Sequence, residues 1–473
     1  MPKHLLSSLG LILLFTAGPS AAQGEAAAAA DVAQRLRQAT PSVQPYTAEE
    51  IARRHAGKGL SDCFWTGTLK SDTFNILSPD LGVVYWIAQF KLPVGASLSL
   101  EGEFPHARYL SFASYNPMGQ PVDSLSDLLI RPAPGSSNPF LPGADRQAKQ
   151  RQYTVALQPR DLQAGQRVDE AQRPPNTLFM PDEAGVYQLW MRVYVPDQGR
   201  DVKGGVALPR PQLRLASGHR LDGEALCRAI GVPEAAVRDY RSTAEGNRAL
   251  FKIPGARAPY HPAQPAPVSW NSFFNPLHTL SNVLINTPFE GMRSRIDASR
   301  RSGFYGTLDN SYMTTYLDDR YGQTLLLRGK APRTAVTWRG GPKMTGELDM
   351  RYWSLCKGRS IADGAVDACL FDEQVPLNEQ GRYNIVVSSP AHRPANARAE
   401  CGVAWLPWGE GDGIGNPHGG YLIFRHLLPS PAFAHSLAKV QKPGEERQVL
   451  GDYYPDLAYQ DKAAFEARGC PAR

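Results

Sequence analysis

The sequence predicts a mostly β protein: two tandem antiparallel β-sandwich domains, jelly-roll-like, with short flanking helices. Three observations carry this expectation. Short runs alternate apolar and polar residues with a period of two. Glycine (43) and proline (40) are plentiful in the 473 residues, which favours many turns between short strands. The strand motifs of the first half also recur in the second half in the same order.

In chain order, the first segment, residues 1–22, reads as a secretory signal peptide. It has a basic start at Lys3, an apolar stretch from Leu9 to Phe15, and small residues Ser20 and Ala22 before the expected cut. The apolar stretch is far shorter than the roughly 20 residues a spanning helix needs. Residues 23–60 read as an N-terminal helical segment, in which Thr47 and Glu50 form a capping box.

The first sandwich is expected over 61–250. In "GVVYWIAQFKL", Val84, Trp86, Ala88 and Phe90 lie on one face, and "ASLSLEGEF", "RYLSFASY", "QYTVAL" and "VYQLWMRVYV" continue the pattern. Such runs describe antiparallel strands with one face in a core. A helix follows in "LDGEALCRAIGV". Residues 251–275, rich in proline, are expected to be an extended linker, and 276–473 the second sandwich.

The repeat can be written out. "SLSLEGEFP" (97–105) matches "TLLLRGKAP" (324–332), and "RYLSF" (108–112) matches "RYWSL" (351–355). "RQYTVAL" (151–157) matches "GRYNIVV" (381–387), and "YQLWMRVYVPD" (187–197) matches "GYLIFRHLLPS" (420–430). The last match sets Arg192 against Arg425. Two copies of one strand-built unit, each burying an apolar face between two sheets, account for this.

This series resembles the bacterial exported proteins built from tandem domains of unknown function 1254 and 1214, which use an "RYWS"-type strand, a "GxYxI" strand and a final aliphatic strand containing arginine. The resemblance implies jelly-roll-like sandwiches and carries no established reaction. The "GSSNPFLPG" segment, the cysteines and the long linker depart from that pattern.

Export makes the six cysteines legible as disulfides. Six cysteines allow 15 connectivities. Keeping each pair inside one domain suggests Cys63–Cys227, Cys356–Cys369 and Cys401–Cys470. The expected location is periplasmic or secreted. The net charge of +6 is spread among interspersed acids, which describes a solvated surface and no nucleic-acid partner.

Chemical motifs are sparse. There is no G-x-S-x-G elbow, no HExxH and no CxxC. His418 and His426 are too far apart along one strand to share a metal, so no metal and no cofactor is expected. Asp318 and Asp319, adjacent on a strand, point to opposite faces. The glycine loop 409–420 has no helix to make a phosphate site.

The candidates for ligand binding are of two kinds. Arg108 and Arg351 occupy one slot of the repeat, and a charge in an apolar strand needs solvent or a partner. They brace the sandwich by ion pairs or form a fork for an anionic ligand, with His106, Tyr109 and Tyr115 beside them. Trp353, Trp405, Trp408 and Tyr421 lie in or near loops, where they either fill a core or stack on a ligand. Asp309, Asn310 and Tyr312, with Tyr316 and Tyr321, make a polar–aromatic surface. The expected function is binding of a glycan or small amphipathic molecule in a sandwich cleft. The alternative is an envelope hydrolase or lyase using His, Asp and Arg from loops, and a third reading is an assembly protein.

Overall fold

A computed structural model describes residues 63–233, 270–278 and 305–470, apart from a few short internal stretches. The expected signal peptide, the helical segment 23–60 and most of the linker lie outside the described residues.

The first half contains β1 (Trp65–Leu69), β2 (Val83–Phe90), β3 (Ser97–Glu103), β4 (Ala107–Tyr115) and β5 (Pro121–Ser126). It continues with β6 (Gln152–Arg160), β7 (Thr177–Pro181), β8 (Tyr187–Pro196), β9 (Arg210–Arg214), β10 (Arg220–Leu221) and helix α1 (Gly223–Ile230). The second half contains β11 (Asn271–Ser272), β12 (Asn310–Asp318), β13 (Thr324–Lys330), β14 (Met350–Gly358) and β15 (Val366–Phe371). After these come β16 (Arg382–Ser388), β17 (Val403–Pro407), β18 (Gly419–Pro429), α2 (Glu446–Leu450), β19 (Asp456–Gln460) and α3 (Lys462–Glu466).

These strands build two sandwiches of one design. The first pairs a sheet ordered β1-β2-β8-β4-β5 with one ordered β10-β9-β3-β6-β7; the second pairs β11-β12-β18-β14-β15 with β17-β16-β13-β19. The duplication read from the sequence is therefore real down to register. Ser111 faces Arg192 across β4–β8, and Ser354 faces Arg425 across β14–β18. Gly102 opposes Tyr153, and Gly329 opposes Tyr383. The indole Nε1 of Trp65 donates to the carbonyl of Pro209, as that of Trp270 does to Pro455, each at 2.8 Å.

Three expectations are corrected. The outer sheets are mixed rather than purely antiparallel, because β6–β7 and β16–β17 run parallel. Their long connections, 161–176 and 389–402, supply the crossover that a parallel pair requires. The linker ends before residue 275, since Trp270 and Phe274 are buried in the second core and Asn271–Ser272 pair with β12.

The third correction concerns β2, β4, β8, β14 and β18, which are buried on both faces. β6 alternates as expected, while every residue of β2, β4 and β14 is buried. The reason is that the sheets containing β2 and β12 face each other. Val84, Trp86, Ala88 and Phe90 fill the first sandwich, while Tyr85 and Ile87 join Tyr109, Tyr194, Tyr352, Phe371 and Leu427 in a cluster between the sandwiches. Tyr194 and Tyr352 meet edge to face across this contact, ring centroids 5.3 Å apart. The molecule is thus four stacked layers with the aromatic seam in the middle.

The three disulfides are Cys63–Cys227, Cys356–Cys369 and Cys401–Cys470, as the domain assignment suggested. No helix of the described residues is long and apolar enough to cross a membrane.

His426, on the interior face of β18, gives the fold a pH dependence. It is wholly buried, and its Nδ1 accepts the backbone N–H of Leu437 at 3.1 Å. Burial pulls its pKa down to about 3. The unfolded chain takes up this proton near pH 6.5 and the folded chain does not, so stability falls with pH between those two values. This side chain should make the protein about 2 kcal/mol less stable at pH 5 than at pH 8. His426→Gln should remove that part of the slope in urea titrations at the two pH values. An unchanged slope would show that the imidazole is not the group responsible.

Candidate functional site

The repeated arginines hold the two sandwiches together by exchanging carboxylates. Arg108 Nη1 donates to both carboxylate oxygens of Asp372, at 3.1 and 2.9 Å, and Nη2 contacts Glu373. Arg351 Nη1 donates to both oxygens of Asp127, at 3.0 and 3.2 Å. Each arginine also donates to the other's backbone carbonyl, Arg108 at 3.3 Å and Arg351 at 3.1 Å. Asp127 and Asp372 open equivalent one-turn helices after β5 and β15, so the arrangement has approximate two-fold symmetry. Burial pushes Asp127 up to about 6 against the pull of Arg351 and the Leu110 N–H. Burial raises Asp372 as well, with Arg108 opposing. These guanidinium groups therefore bind protein carboxylates, and the expected fork for an outside anion does not form at Arg108 and Arg351.

The second repeated pair follows the same symmetry but is unequal. Arg192 Nη2 donates to Tyr305 O at 2.7 Å, and Arg425 Nη2 to Ser78 O at 2.6 Å, each reaching a segment of the opposite half. Those segments are exchanged arms: Ser78 N donates to Gly364 O, and Tyr305 N to Gly119 O. Arg425 has a carboxylate, Asp80, at 3.8 Å. Arg192 lies instead among the rings of Tyr85, Tyr115 and Trp190.

Most of the other sequence candidates also lie in these interiors. Tyr109 donates to Asp309 at 2.6 Å and Tyr115 to Gly306 O at 2.8 Å, both across the seam. Asn310 is buried at the start of β12, and the Tyr312 ring lies 6.0 Å from Arg425. Trp353 and Trp408 fill the second core, and Tyr421 meets Ser78 at 2.8 Å. A surface of stacking aromatics is therefore not formed by these residues, because β14 and β18 are covered on both faces. Trp405 is partly exposed, but Arg393 stacks on it at 4.3 Å. His106 does not join Arg108; its Nε2 faces Arg151.

An open groove lies elsewhere among the described residues, at one end of the second sandwich. A groove of about 750 Å³ is lined by Asp319, Tyr321, Gln323, Asp461, Lys462 and Glu466, among others. The one-turn helix Asp319–Tyr321 forms its first wall. Asp318 caps that turn by accepting Arg320 N at 3.1 Å, and its carboxylate also takes Arg320 Nε and Nη2, at 2.8 and 2.7 Å. Tyr321 packs edge-on against Tyr459, centroids 5.7 Å apart, which sets its ring angle. Helix α3 forms the second wall, anchored by buried Phe465 and by Glu466, which accepts Ala395 N at 2.8 Å. At the rim, His418 Nδ1 and Asp319 Oδ1 are 2.6 Å apart, with both side chains over 40% exposed (44% and 41%). A carboxylate only accepts, so Nδ1 is the donor in this contact.

Sequence reading reached Asp319, Tyr321 and His418 singly but did not join them. Gln323, Asp461, Lys462 and Glu466 carried no signal, because only the pairing of β13 with β19 brings the C-terminal segment beside the Asp319 turn.

No protein-family model and no curated protein matches the chain. It is similar to an uncharacterised protein from Burkholderia cenocepacia, with 12% identity over 97% of this chain and 95% of the other and a TM-score of 0.45. It is also similar to a protein from Vibrio parahaemolyticus, with 13% identity over 77% and 88% and a TM-score of 0.36.

Proposed function

We propose that the chain is an exported protein of the bacterial cell envelope that binds a glycan in the groove beside Tyr321. One observation carries this reading: a partly exposed phenol ring bordered by carboxylates, an amide and an ammonium in one open concavity. A sugar offers an apolar ring face and a fringe of hydroxyls, which an aromatic side chain and such polar groups can match. The polar lining favours a glycan over an apolar ligand. Three disulfides support an oxidising compartment. Tyr321→Ala should weaken binding to a panel of bacterial surface oligosaccharides at least tenfold, measured by calorimetry, while leaving the melting temperature within a few degrees. Equal binding by the variant would sink the proposal.

The His418–Asp319 pair supports a second reading, hydrolysis or elimination on the same ligand with His418 as general base. His418→Gln separates the two. A binder retains its affinity and has no turnover to lose, whereas an enzyme keeps binding and loses product formation.

A further inference from the structure

His106 and Arg151 form a cluster in the first sandwich with more donors than acceptors. A guanidinium only donates, so the contact of Arg151 Nη1 with His106 Nε2 makes that nitrogen the acceptor and puts the imidazole proton on Nδ1. That Nδ1 is buried and has no partner. The Nε of Arg151 is likewise buried without a partner, on a residue only 3% exposed. Both orphans are donors, and a buried donor without an acceptor is costly.

The surrounding charge has the same bias. Arg146 lies beside Arg151, whose Nη2 donates to Arg146 O at 3.2 Å, and Arg146 itself takes Asp197. Arg200 is exposed at the edge, against Gly205. Among the described residues no carboxylate forms an ion pair with Arg151; Asp197 and Glu103 act on it only from farther away. Burial, with Arg151, Arg200 and Arg146, lowers His106 to about 4, and burial lowers even Arg151 to about 10. The cluster is held in place by the loop 197–205. His106 N donates to Gly204 O and Asp197 N to His106 O, each at 2.9 Å. Gly204, at φ +71°, permits this approach, since a Cβ there would lie 2.7 Å from Pro105.

We propose that His106, Arg151 and Arg200 form a binding site for a phosphate-type oxyanion. Such a group supplies acceptors to the orphaned donors and negative charge to the surplus guanidinium groups, whose planar forks suit it. The site is separate from the groove beside Tyr321, and its ligand could be free phosphate or a phosphate ester.

The test follows the His106 ring protons by NMR through a pH titration of the full chain. The arms contain chloride alone, inorganic phosphate, or glycerol phosphate at matched ionic strength. A bound anion favours the imidazolium, so phosphate should raise the His106 midpoint by about one unit or more and the effect should saturate. Arg200→Gln, a surface change, should weaken the apparent affinity about tenfold, and Arg151→Gln should abolish it. If Arg151→Gln fails to fold, Arg200→Gln carries the test alone. A stronger response to glycerol phosphate than to inorganic phosphate assigns the site to esters, and the reverse order assigns it to the free ion. A midpoint that moves no more with either phosphate than with chloride, or a shift unaltered by Arg200→Gln, overturns the assignment.

Discussion

Arg351→Met should lower the unfolding free energy by about 3–5 kcal/mol, because it strands a buried carboxylate. Asp127 is fully buried, and with Arg351 gone it keeps only the Leu110 N–H, at 2.8 Å. Asp127 must then take up a proton to stay inside. Its pKa, already about 6 beside the arginine, rises further in the variant. A carboxyl raised on folding binds more protons folded than unfolded, so stability falls as pH rises above the ordinary carboxylate range. The deficit should therefore be smaller at pH 5 than at pH 8. Adding Asp127→Asn should recover most of the loss, since the amide still accepts from Leu110 and carries no charge. Urea unfolding followed by tryptophan fluorescence measures all three. A single-variant cost under about 1 kcal/mol, or a double variant worse than the single, would show that the pair does not join the halves. By the symmetry of the seam, Arg108→Met should behave alike, with Asp372 as the stranded carboxylate, while Glu373 keeps the backbone N–H groups of Thr337 and Trp338.

The repeat was legible because its units are local. "RYLSF" and "RYWSL" each lie in one strand, and alternation in β3 and β6 follows from one solvated face. What escaped sequence reading is set by contacts between distant segments. Nothing in "GVVYWIAQF" says that Tyr85 and Ile87 face another sheet, so β2 looked half-exposed. An arginine flanked by tyrosine, as at Arg108, looks the same whether its carboxylate comes from a ligand or from residue 372. The groove needs Tyr321 and Lys462 together, 141 residues apart in the chain. Which half each cysteine belongs to fixes Cys63–Cys227, but it leaves three ways to pair the four cysteines of the second half, and there the fold makes the choice by setting Cys356 opposite Cys369 in the β14–β15 ladder.

The disulfides should contribute unequally, in an order set by the length of chain each one closes. In the chain-entropy account, a cross-link stabilises by restricting the unfolded chain, and more so for longer loops. Cys63–Cys227 spans 164 residues, Cys401–Cys470 spans 69 and Cys356–Cys369 only 13. The first should be worth about 5 kcal/mol and the last about 3. Structure reinforces the order. Cys356 and Cys369 are direct partners in the β14–β15 ladder, so backbone pairing already holds them together. Cys63, by contrast, precedes the edge strand β1, and Cys227 lies in α1, which packs on the first core through Leu226 and Ile230. That bond ties both ends of the first sandwich. Cys63→Ala with Cys227→Ala should therefore cost more than Cys356→Ala with Cys369→Ala in denaturant titrations of otherwise oxidised protein. The reverse order would mean that native-state packing around Cys356, whose Sγ accepts from Arg425 at 2.9 Å, outweighs loop entropy.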